Sequence, residues 1–292
     1  MIYDLFIFIG GGSKLSKFLA NEIKSANKVD IFAISRKITS SKYYDKVFSY
    51  NELNSDFDNY LSKYRKICLV NIASLVPSLA KDEFEFFEVN NSFIPRQLKR
   101  LASKSSALIN ISTADVYNFK FSIAEESIIE TMPSTLYGLS KNILEKQVKE
   151  IANYFNIPYL NIRIPVLIYP GVQNNFISSW IDKISSNEKI NYSNPDGSFN
   201  NLGDARTLAD ILLIDLNNLS FHVLNIASKD TCKIIDLVKL ISSITEYNLT
   251  FFNEVNASKQ SQLMGVSNIS KIQVRRFTIF ETLDWFLSTS RS

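Results

Sequence analysis

A doubly wound α/β fold, a parallel sheet with helices on both faces and a smaller carboxyl-terminal lobe, is predicted by three features of the chain. Short apolar runs recur through the first half, at Leu5–Ile9, Val29–Ile34, Ile67–Ala73 and Ala107–Ile111, and such runs suit strands buried on both faces of a parallel sheet. Segments with apolar residues at three- and four-residue spacing alternate with them, and that alternation specifies helices layered on the sheet. A glycine turn, Gly10-Gly11-Gly12, follows the first run directly. Strand, glycine turn and helix together aim backbone N–H groups at a pyrophosphate.

Taken in order, Leu5–Ile9 is the first strand, and the helix after its turn carries Phe18, Leu19 and Ile23. With Gly10 as the first glycine of a Rossmann fingerprint, Ser13 and Ser16 stand where the second and third are expected. Close backbone approach there must tolerate a small side chain. The second strand, Val29–Ile34, ends in Ser35-Arg36-Lys37. An acid at this strand end holds a free ribose 2′-hydroxyl, whereas a basic residue holds a 2′-phosphate. Ser35 with Arg36 therefore points to NADP; the alternative is that Arg36 and Lys37 are solvated loop charges.

A short third strand, 46–50, and a polar helix, 55–64, precede the fourth strand, Ile67–Ala73, where small Ala73 and Ser74 leave room for a ligand. The next helix carries Phe86, Val89, Asn90, Ile94, Leu98 and Leu101, and Pro95 inside it predicts a kink or a break. The fifth strand, Ala107–Ile111, ends in Ser112-Thr113-Ala114-Asp115-Val116-Tyr117. In such sheets ligands gather at the carboxyl ends of the strands, where Gly10, Ser35, Ala73 and Thr113 all fall.

Tyr137-Gly138-Leu139-Ser140-Lys141 opens an amphipathic helix with apolar Ile143, Leu144, Val148, Ile151, Ala152 and Phe155 on one stripe. Residues four apart share a helix face, so an ammonium beside the phenol is expected to lower a pKa ordinarily near 10. That would make Tyr137 a proton donor and acceptor near neutral pH. A Tyr-x-x-x-Lys spacing also arises by chance among 13 tyrosines, so its context decides.

Composition narrows the function classes. Hydrophobic residues at 46% and charged residues at 21% describe an ordinary globular protein. The 32 basic and 29 acidic residues give +3 with no basic block, so nothing calls for nucleic acid. Cys68 and Cys232 lack a C-x-x-C pattern or nearby histidines and read as reduced thiols, which gives no metal site and fits a cytoplasmic compartment. The single histidine, His222, anchors no Ser-His-Asp machine. No signal peptide is visible, and no apolar run approaches the roughly 18 residues of a membrane span.

In this order and spacing the motifs resemble those of the extended short-chain dehydrogenase/reductases, the nucleotide-sugar epimerase, dehydratase and reductase group. The resemblance rests on the glycine loop, Val89-Asn90, Ser112-Thr113-x-x-Val116-Tyr117, and Tyr137-Gly138-x-Ser140-Lys141. It continues through Leu160–Pro165, Tyr169-Pro170-Gly171, Val223–Ser228 and a closing helix from Phe280 to Leu287. It implies that Tyr137 is the catalytic acid or base, that Lys141 lowers its pKa and binds the nicotinamide ribose, and that Thr113 hydrogen-bonds the reacting oxygen. Cofactor contacts are implied for Gly10, Gly12, Ser13, Lys14, Leu15, Ser35, Arg36, Lys37, Ala73, Ser74, Asn90, Ile111, Pro165 and Val166, besides Tyr137 and Lys141. Residues 1–172 are expected to form the dinucleotide domain, with strand returns near 202–212 and 221–228. Residues 173–292 are expected to form mainly the substrate lobe. Substrate contacts are expected from Ser74, Thr113, Ala114, Asp115, Asn174, Asn175 and Arg206.

Two departures bear on the reaction. The dehydratases resemble one another in an Asp-Glu pair after the threonine, and here the pair is Ala114-Asp115, which argues against dehydration. The loop that usually carries an arginine for the substrate pyrophosphate reads Asn200-Asn201-Leu202-Gly203-Asp204-Ala205-Arg206, so Arg206 is the candidate replacement. The expected function is NADPH-dependent reduction of a nucleotide-activated keto-sugar, an NDP-4-keto-6-deoxy-sugar of surface-polysaccharide biosynthesis, with NAD as the other possible cofactor. The alternatives are an NAD(P)-dependent 4-epimerase and, in a different class, a non-catalytic dinucleotide sensor. A homodimer through the Tyr137 helix and the helix before it is implied by the resemblance alone.

Overall fold

The Leu5–Ile9 run forms strand β1, with all five residues buried, because its side chains alternate between two cores. Phe6 and Phe8 point into one core and Leu5, Ile7 and Ile9 into the other, as the two-residue period of a strand requires. A computed structural model describes residues 2–36, 42–118, 122–128, 131–173, 175–186, 188–246, 252–254 and 262–290. Helix α1 spans Lys14–Ala26, followed by β2 (Asp30–Ser35) and β3 (Lys46–Ser49). Helix α2 (Ser55–Leu61) leads to β4 (Ile67–Asn71). Strand β4 ends two residues before the predicted boundary, because Ala73 leaves the ladder to meet Gly10.

Helices α3 (Glu83–Glu88) and α4 (Ile94–Ala102) are joined without interruption by a π-helical turn over Val89–Phe93. The predicted disturbance at Pro95 therefore takes this form: Pro95 follows directly on the π turn, whose extra residue takes up the break in the hydrogen-bond ladder left by the missing N–H. The π turn points Asn90 inward, and that residue is only 2% exposed. Strand β5 is Ala107–Thr113, helix α5 is Leu136–Phe155 and strand β6 is Tyr159–Ile164. Thr135 caps α5 by accepting from the Gly138 N–H, and Asn156 closes it at φ 52°.

Among the described residues the remaining α-helices are α6 (Phe176–Ser185), α7 (Ala205–Leu212), α8 (Ile234–Thr245) and α9 (Ile279–Ser290), and the last strand of the main sheet is β7 (Val223–Asn225). The sheet runs β7-β6-β5-β4-β1-β2-β3 and every pairing in it is parallel. The strand return expected over 202–212 is a strand only at Leu202–Asp204, laddered to Val166–Ile168, and then becomes helix α7. A third apolar core gathers Ile168, Ile177, Leu202, Leu237 and Leu283 with α6, α8 and α9 beside the sheet. Among the described residues no helix is long and apolar enough to cross a membrane.

Three buried asparagines cross the middle of the sheet at matching register. The Asn71 amide donates to Asn110 Oδ1 at 2.8 Å, and the Asn110 amide donates to Asn161 Oδ1 at 2.9 Å. Their Cα positions pair Asn71 with Asn110 and Asn110 with Asn161. A one-residue slip would strand these amides in the core, so the ladder pins β4, β5 and β6 together.

Candidate active site

The glycine turn brings three strand ends into contact. Gly10 lies at φ +91°, and a Cβ there would meet the Ala73 backbone nitrogen at 2.7 Å. A Cβ on Gly11 would collide with Ala33, and one on Gly12 would lie 3.0 Å from Ser35 Oγ. The glycine turn after β1 therefore packs directly against β2 and against Ala73 after β4, forming a tight cradle of small residues, and a turn this close to its neighbours fits the backbone approach that a dinucleotide pyrophosphate needs. Ser13 caps α1 by accepting from the Ser16 N–H at 3.0 Å, and the fully buried Ser16 donates to the Gly10 carbonyl at 2.7 Å. The sequence gives no sign of Tyr44, whose hydroxyl holds the Gly11 carbonyl at 2.8 Å.

Around this cradle the sequence candidates divide. Leu15 reaches the central cleft. Lys14 instead reaches the loop after Val166–Ile168, donating to the Gly171 carbonyl at 3.1 Å and to Gln173 Oε1 at 3.0 Å. Arg36 is exposed beside Tyr50; burial pushes that phenol up to about 12 while the Arg36 charge pulls it back. Lys37 lies outside the described residues. Asn90, carried by the π turn, exchanges two 2.8 Å hydrogen bonds with the Leu75 backbone and accepts from Ser74 Oγ at 3.4 Å. It fixes the loop after β4.

Tyr137 and Thr113 line one cleft of ≈ 690 Å³ with Ile111, Ala114, Asp115, Pro165 and Val166. Gly138 makes the approach possible, since a Cβ there would collide with the Asp115 carbonyl. Lys141 is buried directly behind this wall and donates to the Ile111 carbonyl at 3.0 Å. Its Nζ stands 5.8 Å from the centre of the Tyr137 ring. The expected lowering of the phenol by the ammonium is therefore corrected. Burial pushes Tyr137 up to about 12, with a Ser74 hydrogen bond pulling it down and the Asp115 charge adding to the rise. Burial also pulls Lys141 down to about 8, opposed by the charge of Glu145. Thr113 Oγ1 accepts from the Asp115 N–H at 3.2 Å and keeps its own proton to donate. Burial raises the Asp115 carboxyl above its ordinary value.

Asn175 lines the cleft and caps α6, accepting from the Ser178 N–H at 2.8 Å. Asn174 lies outside the described residues. Arg206, expected as a substrate contact, is turned away. Its guanidinium forks onto Asp204 at 3.0 and 2.6 Å and is sandwiched 3.8 Å from the Phe277 ring and 4.1 Å from the Trp285 ring. Cation, carboxylate and aromatic faces satisfy it locally. Asn201 and Gln262, which sequence reasoning missed, line the cleft instead.

A buried ion pair was also missed. Arg163 on β6 forks onto Glu145 on α5 at 3.0 and 2.7 Å. The signal was present: a charge inside the apolar strand Leu160–Ile164, and another between Leu144 and Val148 on the apolar face of a helix.

A family model described as the NAD dependent epimerase/dehydratase family matches residues 9–227. No curated protein matches the chain. Among solved structures, the UDP-glucuronic acid 4-epimerase from Bacillus cereus in complex with NAD is similar at TM-score 0.78 and 17% identity, covering 98% of each chain. The UDP-N-acetylglucosamine 4-epimerase from Bacillus cereus gives TM-score 0.79 at 15% identity, covering 99% of this chain and 96% of the other. The UDP-glucose 4-epimerase from Thermotoga maritima with UDP-glucose gives 0.77 at 13% identity, covering 98% of each. These likenesses establish a shared fold. The family match runs from the end of β1 through β7 and takes in the glycine cradle, Thr113, Tyr137 and Lys141, and the chain belongs to the NAD dependent epimerase/dehydratase family.

Proposed function

We propose that the protein is an NADPH-dependent reductase of a nucleotide-activated keto-sugar, acting on an NDP-4-keto-6-deoxy-sugar. The observation that carries this reading is the meeting of Thr113 and Tyr137 in one cleft whose far wall hides Lys141. The cradle of Gly10, Gly12, Ser35 and Ala73 would hold the pyrophosphate, Arg36 a 2′-phosphate, Lys141 the nicotinamide ribose, and Ile111, Pro165 and Val166 the ring itself. When bound, such a dinucleotide supplies a hydride. Thr113 orients the carbonyl oxygen by donating to it, and Tyr137 donates the proton that oxygen needs as charge builds on it. The protonated phenol, favoured by its burial, is the form that gives a proton to the reduced carbonyl oxygen.

A second reading, an NAD(P)-dependent 4-epimerase, is favoured by the structural neighbours, which are described as 4-epimerases. The deciding experiment supplies NADPH or NADH with UDP-, dTDP-, GDP- and CDP-linked keto-sugars and follows absorbance of the reduced nicotinamide. Stoichiometric NADPH consumption supports the reductase. Interconversion of nucleotide sugars with no added reductant supports the epimerase, and dinucleotide binding without turnover on the whole panel supports a sensor.

A further inference from the structure

Tyr137, Lys141 and Glu145 are spaced four residues apart along α5, so they form one row on the face turned toward β5 and β6. The last member is held far more tightly than a helix residue requires. Glu145 Oε1 accepts from Ser112 Oγ at 2.5 Å and from Arg163 Nε at 3.0 Å, and Oε2 accepts from Arg163 Nη2 at 2.7 Å. Ser112 and Arg163 are themselves register partners across β5 and β6, and both charged side chains are at most 6% exposed. The residue before Ser112 is Ile111, whose carbonyl accepts the Lys141 amine. One peptide unit therefore connects what holds the amine to what holds the carboxylate.

Stability alone does not account for this pair. Replacing a buried ion pair by apolar residues of similar volume is often neutral or stabilising. The charged and titratable groups around the amine are few. Tyr137 and Glu145 come from its own helix; Asp115, from the turn after β5, faces Tyr137, and Arg163, from β6, faces Glu145 and lies 4.7 Å from the Tyr117 ring. Ser74 after β4 and Asn90 and Asn91 on the π turn present only neutral dipoles, with Asn91 bonded to Ser140 rather than to the amine.

We propose that Glu145 and Arg163 form a positioning pair for Lys141, in which the carboxylate, locked by Arg163 and Ser112, keeps that amine charged and seated against Ile111 and so able to grip a dinucleotide ribose. The inference rests on the reading that α5 serves a bound dinucleotide. Neither residue of the pair touches the cofactor under that reading; both act through Lys141. Burial already draws the amine down to about 8 while Glu145 opposes the fall, so removing the carboxylate's charge lowers it further.

The test measures NADH and NADPH affinity by nucleotide fluorescence from mildly acid to mildly alkaline pH, with no substrate present and with folding checked by circular dichroism. Wild-type affinity should fall as pH rises through about 8, and Lys141→Met should bind weakly with no such fall. In Glu145→Gln the fall should move toward acid by about one pH unit, which is roughly tenfold weaker binding at an intermediate pH. Glu145→Asp should bring it part of the way back. A folded Glu145→Gln whose profile overlies the wild type overturns the proposal, as does a wild-type fall that survives in Lys141→Met. If Glu145→Gln does not fold, Ser112→Ala, which leaves both charges in place, should shift the profile in the same direction by less; no shift overturns the proposal. Loss of binding by the wild type at every pH would instead sink the functional reading, a distinguishable result.

Discussion

Ser16 Oγ donates to the Gly10 carbonyl across 2.7 Å with no solvent exposure, so the residue standing where a third fingerprint glycine is expected ties the turn shut from below. The same serine gives its N–H to the Ser13 cap. A Ser16→Gly substitution, which restores the fingerprint, should therefore destabilise the protein. Loss of one hydrogen bond plus a glycine inside a helix amounts to about 1–2 kcal/mol, readable as a lower urea midpoint at unchanged m-value.

Tyr137→Phe removes the only proton that the phenol can give while leaving its ring in the cleft wall. Turnover on an identified keto-sugar should fall by about 10²–10⁴-fold, with NADPH affinity within about twofold of wild type, since the ring still fills its place. Full activity in this variant would end the assignment of Tyr137 as the proton donor.

Arg36 stands exposed past the end of β2, beside Tyr50. Arg36→Ala should weaken NADPH binding by about tenfold or more through loss of a charge-assisted contact to the 2′-phosphate, and leave NADH binding unchanged. Equal effects on the two dinucleotides would show that this arginine reads no 2′-phosphate.

Arg206 is held by Asp204, Phe277 and Trp285, and Asp204 is 4% exposed. Arg206→Leu leaves a buried carboxylate without its cation, at a cost of about 3 kcal/mol. Thermal unfolding should show that loss, while KM for the nucleotide sugar stays unchanged in the folded fraction. A selective rise in KM would restore the substrate role.

Lys141 makes stability depend on pH with a definite sign. Its folded value, about 8, lies below the ordinary 10.5, so between those values the unfolded chain binds more protons and stability rises with pH. The burial penalty is present in full below about 8. Relative to Lys141→Met, wild-type stability should climb through that window by at most about 1.4 kcal/mol per pH unit. Urea titrations of both proteins at matched pH would show it, and parallel curves would place the amine in water.

The sheet was legible because its strands announce themselves locally. Leu5–Ile9 and Ala107–Thr113 are buried along their whole length, and a run without polar alternation reads as a strand covered on both faces. Tyr137 and Lys141 were legible as neighbours, because four-residue spacing fixes a shared helix face wherever the helix goes. Their electrostatics were not. How deeply Tyr137 is buried depends on the loop after β4 and on Asp115, both brought up by the fold. Arg206 was misread because Phe277 and Trp285, the rings that claim it, arrive from the far end of the chain. The π turn has no compositional mark, and Pro95 signalled only that something near it departs from a regular helix.

The asparagine row through β4, β5 and β6 constrains how this chain can drift. Each member but the last hands its amide to the next, so converting Asn110 to an aliphatic residue deprives Asn71 of its acceptor and Asn161 of its donor in a single stroke. Repair needs both neighbours to turn aliphatic as well. Descendants should therefore keep the trio or discard it whole, with intermediate combinations rare, and a triple aliphatic variant should outlast any of the three single ones on heating.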